Sequence, residues 1–258
     1  MTRPPTVGLL YPGHAAEDDY PALEKRLLSE AADGSAPLLR LPLVHTTIDV
    51  DEHTPEALLD TGSPARLSEG ANRLLTEQAP HGGVDSVMWA CTSGSFVYGW
   101  EGAARQAAQL QEVTGRPTSS TSIAFAEAIR ALDVVRVAVA ASYPADLADH
   151  FKRFLGAAGA EVVHFSSHGI FTAGEVGLMG RDEVIEMVRT VDTHEAEAML
   201  VPDTAMHSLL WIEELEEALG KPVLTANLVT IWEGLRIAGP PIPAIRGLGT
   251  LFSPPRLE

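Results

Sequence analysis

The one cysteine of this 258-residue chain, Cys91, follows the apolar run Ser86-Val-Met-Trp-Ala90 and precedes Thr92-Ser93-Gly94-Ser95. Amides of a turn that opens a helix, with the helix dipole behind them, lower a thiol's pKa and equally hold a substrate carboxylate. Cys91 is therefore read as a proton donor or nucleophile, with Thr92 and Ser93 as groups that bind substrate; a buried structural cysteine is the alternative for a lone thiol. Asp203, between Pro202 and Thr204, follows a second apolar run. It can act as a general base, or as a general acid where a closed cleft desolvates it, and aspartate also caps helices. Thr204 adds a hydroxyl beside it. Tyr143 ends a third run and offers its hydroxyl to an oxyanion or carboxylate, or its ring to the packing of strand on helix. His207, four residues past Asp203, reads as an exposed polar residue, with a second acid/base on the first helical turn as the alternative.

Other chemistries find little support. His164 and His168 flank two serines with no carboxylate or cysteine at ligand spacing, so no metal is expected. Tyr11-Pro-Gly-His14 stands after the first strand where a phosphate or dinucleotide fingerprint would need its glycines. A formal charge of −17 argues against nucleic acid and anionic membranes as partners. A single cysteine excludes an intramolecular disulfide and a cysteine-based zinc site. No apolar run approaches the roughly 20 residues of a membrane span, and the opening Met-Thr-Arg-Pro-Pro leads directly into a strand rather than a signal segment. A soluble cytoplasmic protein is expected, as a single chain or a homo-oligomer.

The elements that must position these residues alternate in type. Short apolar runs at Val7–Tyr11, Leu38–Leu43, Ser86–Ala90, Val135–Ala140, Glu161–Phe165, Ala198–Val201 and Pro222–Thr225 read as strands, separated by amphipathic stretches that read as helices, among them Ser208–Leu219 and Ile231–Ile237. That alternation predicts an α/β fold with parallel sheets. The chain also repeats itself. Val84–Ser93 can be laid on Ala196–Ala205, which sets Cys91 on Asp203. Each segment is followed by a helix and a Gly-x-Pro strand lead-in, Gly115-Arg-Pro117 and Gly220-Lys-Pro222, and then by Glu127-Ala-Ile-Arg130 and Glu233-Gly-Leu-Arg236. The openings match as well, Val7-Gly-Leu-Leu-Tyr-Pro12 against the run from Val137 to Tyr143-Pro144. Two pseudo-twofold halves follow, both Rossmann-like or flavodoxin-like parallel sheets. Residues 1–118 with 229–258 form the first half, carrying Cys91, and residues 119–228 form the second, carrying Tyr143 and Asp203. Parallel sheets bind ligands outside the carboxyl ends of their strands, so Cys91 and Asp203 should face one cleft from opposite sides.

These same segments carry a resemblance. The opening Val-Gly-Leu-Leu-Tyr-Pro, the turn Trp-Ala-Cys-Thr-Ser, the stretch Val-Arg-Val-Ala-Val-Ala-Ala-Ser-Tyr-Pro and the run Leu-Gly-Lys-Pro-Val are similar to the aspartate/glutamate racemase superfamily, in its maleate cis-trans isomerase and arylmalonate decarboxylase branch. The resemblance implies a cofactor-independent isomerase, racemase or decarboxylase acting beside the carboxylate of a small acid. It implies two opposed catalytic positions, here Cys91 and Asp203, and a carboxylate cradle at Thr92, Ser93 and Tyr143. The chain departs from the pattern at the second position, where both isomerases and decarboxylases keep a cysteine, and at Ala15 and Ala173, where maleate isomerases carry asparagines. An ectoine-utilisation-type member and a non-catalytic carboxylate-binding protein are the competing readings.

Overall fold

The computed structural model describes residues 3–13, 15–30, 38–239 and 241–253. They form two four-stranded parallel sheets. The first, in the order β2-β1-β3-β4, comprises β1 (Val7–Pro12), β2 (Leu43–Thr46), β3 (Ser86–Trp89) and β4 (Thr118–Ser120). The second, in the order β6-β5-β7-β8, comprises β5 (Arg136–Ala141), β6 (Glu161–Ser167), β7 (Ala198–Val201) and β8 (Val223–Thr225). The helices are α1 (Asp19–Glu30), α2 (Pro55–Thr61), α3 (Pro64–Gln78), α4 (Ser93–Phe96), α5 (Gly99–Thr114), α6 (Thr121–Ala131), α7 (Ala145–Ala157), α8 (Ala173–Gly177), α9 (Arg181–Val191), α10 (Ile212–Leu219) and α11 (Ala226–Ile237).

The repeat is visible in the register of the ladders. Val7 pairs with Ser86 as Val137 pairs with Ala198, and Val87 pairs with Thr118 as Met199 pairs with Val223. The strands equivalent by sequence are thus equivalent in hydrogen bonding, which puts the residues after β3 and β7 in matching places.

Three elements differ from the sequence expectation. The strand placed at Leu38–Leu43 lies at Leu43–Thr46, with the stretch before it paired only in part: Arg40 N–H donates to Pro5 O at 2.9 Å, Val7 N–H to Arg40 O at 2.9 Å and Leu9 N–H to Pro42 O at 2.8 Å. Pro42 has no N–H to return. β4 has the polar sequence Thr-Ser-Ser, which carries no apolar signal, yet Ser119 and Ser120 are buried. The helix expected from Ser208 starts at Ile212, because the amides of Ser208 and Leu209 donate instead to the buried Asp19 carboxylate at 2.8 and 3.0 Å.

α11, at the far end of the sequence, packs on the first sheet. Ser86 Oγ donates to Gly234 O at 2.7 Å, and a Cβ built on Gly234 would lie 2.3 Å from Val7 Cγ1 and 3.1 Å from Met88 Cγ. No side chain fits between this helix and β1. Gly234→Ala is therefore expected to destabilise the protein by about 1–3 kcal/mol, because the β-branched Val7 cannot move aside and overpacking outweighs the gain of about 1 kcal/mol in helix propensity. Urea unfolding checks this.

Candidate active site

Cys91 and Asp203 each lie two residues past the end of a strand, β3 and β7, at the carboxyl edges of the two sheets. Both are buried, 3% and 4% exposed, and both line one cavity of about 40 Å³. That is room for only a few water molecules. Ser93, Thr204 and Ala205 share its wall with Tyr11 and Pro12 from β1, and Ile48, Val50, Leu58 and Ala173 give it an apolar side.

The turn carrying Cys91 is held from behind. The Gly94 carbonyl accepts from Trp89 Nε1 at 3.3 Å and from Gln106 Nε2 at 2.9 Å, and Gln106 Nε2 also donates to Gly62 O at 2.8 Å. This orients the Gly94 amide, which donates to Cys91 Sγ at 3.3 Å, while Ser93 Oγ lies 3.8 Å from the sulfur. Those contacts favour a thiolate, as the sequence reading anticipated. Burial outweighs them. Desolvation, with a further contribution from the Asp203 charge, pushes the Cys91 thiol up to about 12. The turn amides anticipated from sequence thus do not bring this thiol below its ordinary range. The helix behind the turn, α4, is a single turn whose dipole offers little compensation, and burial favours the neutral form of Cys91, which can donate a proton.

Asp203 is fixed through both carboxylate oxygens. Oδ1 accepts from Ala205 N at 2.9 Å, and Oδ2 accepts from the Ser142 hydroxyl after β5. The first contact is a local turn bond of the kind its capping reading described, and the second ties it to the neighbouring strand. Tyr143 and Thr92 stand behind the cavity wall. The Tyr143 hydroxyl donates to Pro202 O, and its pKa is raised well above the ordinary phenol value by burial, then by Asp203 and Cys91. Its proton is thus already committed to the backbone. Thr92 Oγ1 is fully buried and makes no hydrogen bond of ordinary geometry, although it lies beside the Tyr143 ring hydroxyl. Thr204 lies on the wall, and its carbonyl accepts from Tyr11 Oη at 3.0 Å.

Two groups escaped the sequence reading. Tyr11 bridges the halves, accepting from Ala16 N at 3.0 Å while donating to Thr204 O. The loop after β2 crosses from the first half to the second: His53 N donates to Phe171 O at 2.7 Å, His53 Nδ1 lies 2.9 Å from Ile170 O, and the Asp51 carboxylate accepts from Ala173 N and Gly174 N at 2.8 and 3.0 Å. Neither has a motif. The one available signal for Tyr11 was its place at the carboxyl end of β1. His207 lies away from this cavity and pairs with Asp18 at 2.7 Å. Among the described residues no group of three or more His, Cys, Asp or Glu side chains could hold a metal ion, and no helix is long and apolar enough to cross a membrane.

Two like α/β halves thus present the residue two past the end of their third strand to one common cavity. Comparison with known proteins agrees. The arylmalonate decarboxylase family model matches residues 66–252, and the chain belongs to that family. It is 26% identical over 250 residues to the arylmalonate decarboxylase of Bordetella bronchiseptica, covering 96% of each. It is 27% identical over 217 residues to the maleate isomerase of Nocardia farcinica (strain IFM 10152), covering 81% of this chain and 86% of the relative. Among solved structures, the liganded form of an arylmalonate decarboxylase variant, with one glycine changed to cysteine and one cysteine to serine, superposes with a TM-score of 0.80 at 26% identity, covering 96% of this chain and 98% of the other. The named relatives are thus a decarboxylase and a cis-trans isomerase, the two reaction types that the resemblance implied.

Proposed function

We propose that this protein is a cofactor-independent carbon-acid enzyme, a decarboxylase or an isomerase/racemase, whose substrate is a small carboxylate bound between Cys91 and Asp203. The observation that carries the reading is the convergence of a buried thiol and a carboxylate fixed through both oxygens, at equivalent strand ends, on one cavity. A carbon acid between them has a proton donor on one side and a base on the other. In the racemase form, Asp203 takes the proton from the carbon beside the carboxylate and Cys91 Sγ delivers one to the opposite face. In the cis-trans isomerase form, Cys91 passes its proton to Asp203 while its sulfur adds to the double bond, the resulting single bond rotates, and expulsion of the sulfur restores the double bond as the proton returns to it. In the decarboxylase form, carbon dioxide leaves and Cys91 protonates the enediolate. Either way the negative charge that develops on the substrate carboxylate needs preorganised donors, commonly the largest catalytic contribution. Ser93, on the cavity wall, is the candidate for that cradle, with Thr92, called for the same role by the resemblance, and Tyr143 supporting it from behind, the Tyr143 proton being held by Pro202. Thr204 completes the substrate-binding wall.

The same reading takes residues 1–118 with 229–258 as one half and 119–228 as the other, supported by the seat of Gly234 on Val7 and Met88. A reducing cytoplasm suits the free Cys91. A non-catalytic carboxylate-binding protein draws support from the buried, hard-to-ionise thiol. Burial does not disqualify Cys91 as an acid, however, because a proton donor has to be protonated before it acts.

The test is a panel of malonates, maleate, amino acids, hydantoins and ectoine-derived acids, run in deuterium oxide with NMR detection. The expected result is one deuterium at the carbon beside the carboxylate, in a single configuration for a decarboxylase. Binding of an acid without exchange or turnover would establish the binder instead.

A further inference from the structure

The cavity wall is unbalanced in charge. Its ionisable side chains are Tyr11, Asp51, Glu52, His53, Cys91 and Asp203, and among the described residues no lysine or arginine lines it. A substrate carboxylate placed between Cys91 and Asp203 therefore meets like charge. Of the six, His53 alone is of a type that can carry a positive charge. It is 5% exposed, and its ring stands edge-on to Tyr143 with centroids 5.1 Å apart at 89°.

The orientation of this ring decides what it can do. Nδ1 lies 2.9 Å from the Ile170 carbonyl, which only accepts, so Nδ1 carries hydrogen in both protonation states and the proton comes and goes at Nε2. Ile170 N in turn donates to Ser142 O at 2.8 Å, and the Ser142 hydroxyl donates to Asp203. The ring of the first half and the carboxylate of the second are thus held by one connected segment, residues 142 and 170.

We infer that His53, protonated at Nε2, is the counter-charge that holds the substrate carboxylate against the field of Asp203. This assignment rests on the carboxylate substrate proposed above. The titratable groups that face the ring are Asp51 and Glu52 on its own loop, Tyr11 from β1, Cys91 after β3, Tyr143 after β5 and Asp203 after β7. Asp51 is spent on the amides of Ala173 and Gly174. Binding is accordingly stronger where the ring carries its second proton than where it does not, one proton leaving with each carboxylate.

The experiment is isothermal titration of the full chain with phenylmalonate and with maleate, from about pH 5 to about pH 8.5, which covers both sides of the ordinary imidazole range. The variants are His53→Asn, whose amide N–H can keep the Ile170 bond without an ionisable group, and His53→Gln; circular dichroism and thermal unfolding report their folding. The expected result is a pH-dependent Kd in the wild-type protein, and in folded variants a Kd raised about tenfold or more at the acid end and flat with pH, the loss typical of a charge-assisted hydrogen bond. A folded His53→Asn that binds as the wild-type protein does, with the same pH slope, would overturn the role of His53 alone. Wild-type binding that does not vary with pH would overturn the charge assignment, leaving the ring as scaffold. Failure of the wild-type protein to bind either acid, or any acid of the panel above, would overturn the carboxylate reading and this inference with it.

Discussion

Cys91→Ser is expected to lower kcat by about 10²–10⁴, the usual contribution of a positioned general acid, with KM little changed. The thiol of Cys91 is neutral in the closed cavity because burial outweighs the Gly94 amide and the Ser93 hydroxyl. A serine hydroxyl is a much weaker acid than a thiol, so proton delivery to the developing carbanion slows while the cavity keeps its shape. The fold is protected, since a serine oxygen can still accept from the Gly94 amide. Steady-state kinetics on whichever acid of the panel turns over measures the effect, with thermal unfolding as the control for structure. A Cys91→Ser enzyme that retains wild-type kcat would remove Cys91 from the reaction.

The parts of this site that the sequence disclosed are those encoded locally. Cys91 and Asp203 could be matched because the repeat segments Val84–Ser93 and Ala196–Ala205 run from strand to strand end without a gap, and the ladders place Ser86 and Ala198 equivalently. What escaped depends on distant partners. The loop that brings His53 to the cavity is held by the backbone of Ile170 and Phe171 from the other half, and no periodicity or motif in residues 47–54 reports that contact. β4 was signalled only by its Gly115-Arg-Pro117 lead-in, because its own Thr-Ser-Ser has no apolar residue and its burial comes from its place in the sheet beside β3. The state of Cys91 was misjudged for a related reason. Turn amides can be read from Thr92-Ser93-Gly94, whereas the depth of burial that opposes them is set by elements scattered along the chain, among them Leu10, Leu67 and Leu110. The same distinction explains Tyr143: its hydroxyl is legible as a donor, but its commitment to the Pro202 carbonyl is not.

Asp203→Asn is expected to cost turnover by about 10² or more while leaving binding largely intact, because the amide preserves shape and polarity and removes the base. Structure should survive the change. The asparagine Oδ1 can still accept from Ala205 N, and the Ser142 hydroxyl can rotate to accept from Nδ2 where it now donates to Oδ2. A residue that served only to order its turn would tolerate the substitution in activity as well as stability, since asparagine caps as well as aspartate does. A second measurement needs no substrate. The Asp203 charge is among the causes that raise the Cys91 pKa, so its removal should shift the pH profile of Cys91 alkylation toward lower pH. The direction follows from the sign of the interaction: a carboxylate opposes formation of a second negative charge nearby, and the neutral amide does not. Burial remains in the variant, so the thiol should still titrate above an ordinary cysteine, and the shift should be only a part of the total elevation. Iodoacetamide rates across the alkaline range, for wild type and Asp203→Asn side by side, give both midpoints. Identical midpoints would mean that Cys91 and Asp203 do not sense each other, and a mechanism with a donor and a base on opposite faces of one substrate would have to be abandoned.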